Sequence, residues 1–133
     1  MKFKLSLPVV LFALLTGTSA FAGQRYLGSV PLTTFDGRDA ITLPACGTLS
    51  NPNLRAVQLR VSQAPADIEL VRVTFGNGQI EYLPIREQFL PGSETRWVQL
   101  MGGSRCIQRI AVIGHKGAYS PNHPAVVSLF GWE

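Results

Sequence analysis

No stretch of the chain is apolar for long enough to cross a bilayer as a helix. The one sustained apolar run, residues 5–15, falls short of the roughly 20 residues a span needs. Lysine nearly disappears after Lys4, with Lys116 alone, and arginine is scattered singly without a basic run. That leaves no electrostatic footprint for nucleic acid. Catalytic signatures are also missing. There is no G-x-S-x-G nucleophile elbow, no H-E-x-x-H and no phosphate-cradling glycine loop ending in Lys. No cofactor is implied. Beyond residue 22, no window of helical length carries an apolar period of 3.6, which excludes helix bundles and α/β folds.

The start of the chain has the layout of an export leader. Lys2 and Lys4 precede the apolar run, and Ala20-Phe21-Ala22 has the small-x-small form of a signal-peptidase site. Residues 1–22 therefore read as a cleaved signal peptide, and residues 23–133 as one domain located in the periplasm or outside the cell. No stable membrane insertion of the mature chain is expected. Removing Lys2 and Lys4 from 12 basic residues leaves 10 against 8 acidic ones, a net charge of +2. In an exported protein an even cysteine count reads as a disulfide, here Cys46 with Cys106. Two buried thiols or a metal pair are the alternatives, although two cysteines without C-x-x-C spacing make no zinc site.

The firmest local signal is Phe75-Gly-Asn-Gly78 between two β-rich runs. Asn-Gly flanked by apolar alternation marks a hairpin, and Gly76, Asn77 and Gly78 all tolerate the positive φ of tight turns. Period two puts Val71, Val73 and Phe75 on one face, with Arg72 and Thr74 on the other. The apolar residues of both flanks are expected in the core. Pro84 lacks an N–H and belongs at a strand end or sheet edge. Further strands are expected at residues 25–32, 40–43, 54–61, 94–100, 105–113 and 125–132. Residues 46–53, 86–93 and 114–124 are expected to be connections. About eight short strands separated by turns point to an all-β antiparallel sandwich, either jelly-roll or immunoglobulin-like.

Several of these segments carry a resemblance. They are Leu54-Arg-Ala-Val-Gln-Leu-Arg-Val61, Val73-Thr-Phe-Gly-Asn-Gly78, Leu83-Pro-Ile-Arg86, Pro91-Gly-Ser-Glu-Thr-Arg96, Arg105-Cys-Ile-Gln-Arg-Ile110 and Ala125-Val-Val-Ser-Leu-Phe-Gly131. The chain resembles an exported bacterial family of unknown function, domain of unknown function 2541, over nearly all of its length after the leader. The resemblance implies the fold, through turn glycines and strand cores, and brings no activity with it. It matches Cys46 and Cys106 to the two cysteines of enterobacterial periplasmic members. Similar proteins with an aromatic in place of Cys106 make the disulfide optional in this fold.

The residues that can carry a function are few. Trp97 shares a face with Thr95 and Gln99, opposite Val98 and Leu100, so it is the best candidate for an exposed binding residue; Trp132 is expected to pack or fray near the chain end. His115, Tyr119 and His123 fall in a polar loop from Gly114 to His123, where a sandwich can carry a binding site. Two histidines without a third ligand do not make a metal site. Asp36 and Asp39 supply too few oxygens for calcium. The expected function is a non-catalytic binding or accessory module of the cell envelope, with an envelope protein or a glycan as partner. The alternative is a small envelope hydrolase, or a hydrolase inhibitor presenting the Gly114 to His123 loop. The oligomeric state is left open.

Overall fold

The computed structural model describes residues 23–32, 37–117 and 124–133. These form nine strands and no helix: β1 (Gln24–Leu32), β2 (Gly37–Thr42), β3 (Ala56–Ser62), β4 (Ala66–Phe75), β5 (Ile80–Leu83), β6 (Glu87–Phe89), β7 (Val98–Gln99), β8 (Ile107–Lys116) and β9 (Ala125–Trp132). All pairings are antiparallel. One sheet has the order β1-β9-β3-β7; the other has β2-β8-β4-β5, with β6 also on β4.

This order is that of one long hairpin rolled up. β1 pairs β9, β2 pairs β8, β3 pairs β7, and β4 pairs β5 and β6; rolling then sets β9 against β3 and β8 against β4. Closure of this kind makes a jelly roll, which decides between the two topologies the sequence allows. The Phe75 to Gly78 turn is the tip of that long hairpin.

The two sheets bury their inner faces against each other. Val57, Leu59 and Val61 of β3 and Val127 and Leu129 of β9 face Ile68, Val71, Val73 and Phe75 of β4 and Ile107, Ile110 and Val112 of β8. Each such side chain contributes about 1.5–3 kcal/mol on burial. Cys46 and Cys106 form a disulfide that ties the loop after β2 to the start of β8.

The hairpin is a three-residue turn. Phe75 N–H donates to the Gln79 carbonyl (2.8 Å) and Gly78 N–H to that of Phe75 (2.9 Å). Of its three central residues only Gly78 takes a positive φ, +89°. Gly76 is needed for space: a Cβ there would stand 2.6 Å from Cys46 Sγ. Arg105 closes the tip, its guanidinium 3.6 Å over the Phe75 ring and donating to Asn77 and Gln79.

Four expectations need correction. Ile80 and Tyr82 are exposed, not core, because they pair with the outward Thr74 and Arg72 on an edge strand. Pro84 interrupts that edge, and the chain pairs with β4 again as β6, inside the expected 86–93 connection. The strand expected at 94–100 is only β7 plus a bridge from Glu94 to Arg60, because the Thr95 hydroxyl takes the Leu59 N–H and the Gln58 side chain takes the Thr95 carbonyl, the places of ladder bonds. Finally, β8 runs to Lys116, so Gly114 and His115 lie in a strand. Gly114 read as loop punctuation; its actual reason is close approach, since a Cβ there would collide with the Asp67 backbone.

Candidate functional site

The outer face of the β1-β9-β3-β7 sheet combines aromatic and polar side chains. On β9, Ala125, Val127, Leu129 and Gly131 point inward, so Val126, Ser128, Phe130 and Trp132 point outward. Gly131 sets this phase: Leu54 occupies the space where its side chain would be, 2.7 Å from a Cβ built there. Register then lays out the face in rows. Gln24, Trp132, Ala56 and Gln99 form one row, Tyr26, Phe130 and Gln58 the next, and Ser29, Ser128 and Arg60 a third.

The aromatic groups touch. Trp97, half-buried just before β7, meets Trp132 edge-on with ring centroids 5.6 Å apart. Tyr26 and Phe130 are tilted at 5.4 Å. Arg60 lies 3.9 Å over the Phe130 ring, where a cation is drawn to the negative face. Its Nε donates to Gln58 Oε1 (2.9 Å) and sits 3.5 Å from Glu94. Gln58, outward on β3, is covered and donates to the Thr95 carbonyl. Tyr26 and Trp132 stay open, at 59% and 41% exposure. A chain of hydroxyls runs from Tyr26 to Ser29 (2.6 Å) to Ser128 (2.9 Å).

The C-terminal strand is held fast. Arg55 N–H donates to the Trp132 carbonyl (2.7 Å), and Glu133 N–H to that of Gly23 (2.9 Å). Trp132 therefore packs instead of fraying. The arrangement offers two exposed aromatic rings, amides at Gln24 and Gln99, and hydroxyls, all on hydrogen-bonded strands.

The family match runs over residues 7–131, almost the whole chain, and carries the description Domain of unknown function (DUF2541). The chain belongs to that family. Comparison with curated proteins and with solved structures finds no match for this DUF2541 chain.

The residues singled out in the sequence do not converge. Trp97 belongs to the sheet just described, and His115 to β8 of the other. Tyr119 and His123 lie outside the described residues. His115 Nε2 sits 3.6 Å from Asp67 and 3.7 Å from Glu69, with Gln88 also donating to Asp67. Among the described residues no His, Cys, Asp or Glu group has the arrangement of a metal site. Tyr26, Phe130, Arg60, Ser29 and Ser128 were not evident from sequence. The available signal was the alternation Ser128, Phe130, Trp132 on β9, masked by an equally apolar opposite face.

Proposed function

We propose that this DUF2541 protein is an exported, non-catalytic binding module of the cell envelope, and that it holds a linear glycan on the outer face carrying Tyr26 and Trp132. The observation that carries this reading is the strip Trp97–Trp132–Phe130–Tyr26, open at its two best stacking rings and edged by hydroxyls and amides. The C–H face of a sugar ring is apolar and weakly positive and rests on the negative face of an aromatic ring. Its hydroxyls then need partners at the rim, which Ser29, Gln24 and Gln99 supply. Holding these groups on strands reduces the ordering cost of binding. Jelly rolls host lectin domains among many others, so the fold is compatible with this role without assigning it.

Export is supported by the leader-like start and by the disulfide, which persists in oxidising compartments. Cleavage after Ala22 would leave the new amino group on Gly23. A Cβ on that residue would touch the Trp132 ring at 3.6 Å.

The test is retention of the purified mature protein on insoluble peptidoglycan and on neutral polysaccharides. Wild type is expected to be retained, and Tyr26→Ala and Trp132→Ala to pass through while melting normally. Retention unchanged in both variants, or no retention of wild type on any glycan, contradicts the proposal.

A further inference from the structure

The opposite sheet carries a second feature that the glycan surface does not use. On the outer face of β2-β8-β4-β5, one row reads Tyr82, Arg72, Ala111, Ala40. The two adjacent alanines leave a depression of about 380 Å³ in the sheet surface. Arg72 and Tyr82 stand on one side of it, Arg109 lies one row along on β8, and Leu70 and Ile113 form the row beyond.

The charges around this depression are uncompensated. Among the described residues neither Arg72 nor Arg109 forms a hydrogen bond or ion pair, whereas Arg25, Arg60 and Arg105 all do. Arg72 Nε is buried and without a partner. Among the described residues of the lining Asp39 is the one acid, and its Oδ1 accepts from the Ala40 N–H at 2.8 Å. Among the described residues of the lining, two guanidiniums and one carboxylate leave an excess of positive charge facing the hollow. A guanidinium presents its donors as a planar fork that matches carboxylate and phosphate oxygens.

We propose that this hollow is a binding site for a small organic anion. Its carboxylate or phosphate oxygens bridge Arg72 and Arg109, and its apolar body lies between Tyr82 and the Leu70–Ile113 row. The oxyanion supplies the acceptor that Arg72 Nε lacks. The inference stands on the pairing of the second sheet and is independent of the glycan reading.

Calorimetric titration of the mature protein with phenyl phosphate, benzoate and neutral benzyl alcohol tests it. At least one of the two anions is expected to bind in the millimolar range or tighter, with benzyl alcohol silent. Which anion binds separates a phosphate ligand from a carboxylate one. Arg109→Gln and Arg72→Gln should each weaken binding about tenfold or more. Arg109→Gln, at an exposed position on β8, is the variant that keeps the test valid if Arg72→Gln perturbs folding. Higher salt should weaken binding further. The proposal is overturned if neither anion binds, if benzyl alcohol binds as well as the anions, or if Arg109→Gln binds like wild type.

Discussion

Replacing Gly76 by alanine tests the fold where three of its parts meet: the hairpin tip, the disulfide and the start of β8. Gly76 does not take a positive φ, so alanine suits its backbone. On conformational entropy alone the change should stabilise by about 0.4–1 kcal/mol. The structure predicts the opposite sign. The new Cβ would stand 2.6 Å from Cys46 Sγ, and a sulfur locked in a disulfide cannot rotate away. Overpacking of this kind costs about 1–3 kcal/mol. The net expectation is a loss of about 1–2 kcal/mol, or on the order of 5–10 °C in melting temperature for a domain near this size. In a Cys46→Ala/Cys106→Ala background the sulfur is gone. The nearest remaining groups would be the Cβ of residue 46 at 3.4 Å and the carbonyl of residue 106 at 3.8 Å, both ordinary contacts. There Gly76→Ala should be neutral or slightly stabilising. Urea denaturation of the four proteins without reductant gives the cycle, with an expected coupling of about 1.5–3 kcal/mol. An equal cost of Gly76→Ala in both backgrounds would refute the assignment of Gly76 to disulfide packing.

Other outcomes follow from the same geometry. The Cys46→Ala/Cys106→Ala protein should lose on the order of 4 kcal/mol, because the bridge closes a separation of 60 residues; a non-reducing mass showing two free thiols in wild type contradicts this. Gly114→Ala should destabilise by about 2 kcal/mol or more, since the obstacle is the Asp67 backbone and not a movable side chain; a melting temperature within error of wild type would refute it. Arg105→Ala should cost about 1 kcal/mol through the lost stacking on Phe75 and the freed hairpin acceptors. Arg105→Lys should recover only part of that, which denaturation midpoints can resolve.

What the sequence made legible was mostly local. Period-two alternation placed Val71, Val73 and Phe75 inside, and Asn77-Gly78 marked the tip of the roll. The even cysteine count, behind a start that reads like an export leader, pointed to the disulfide. What it left hidden depends on partners far away in the chain. The jelly-roll order follows from pairing β1 with β9 and β2 with β8, which no window of residues contains. The outward side of β9 could not be read because Val-Val-Ser-Leu-Phe-Gly-Trp is apolar on both phases; the core packing of Val127 and Leu129 and the fit of Leu54 against Gly131 choose between them. Gly76 and Gly114 looked like backbone punctuation, yet each is small to make room for a specific neighbour. Ile80 and Tyr82 looked like core because composition does not show that β5 is an edge. The surface of the binding reading had the same difficulty. Trp97 was visible as an outward residue, but its partner Trp132, and Tyr26 and Arg60 beyond, come from other strands.

The chain contains two tryptophans, and both lie in the proposed glycan surface. Tryptophan emission, excited at the red edge where tyrosine does not absorb, therefore reports on that surface. The decisive measurement is a titration of residues 23–133 with a soluble linear oligomer of β-linked N-acetylglucosamine, the sugar type of envelope glycan strands, followed by tryptophan emission. A saturable shift in emission is expected, weakened about tenfold or more by Tyr26→Ala through loss of an aromatic contact and the apolar area it covers. Phenyl phosphate, directed to the other sheet, should leave emission unchanged. An emission spectrum that does not respond to the oligomer, or a response that Tyr26→Ala leaves intact, contradicts the account.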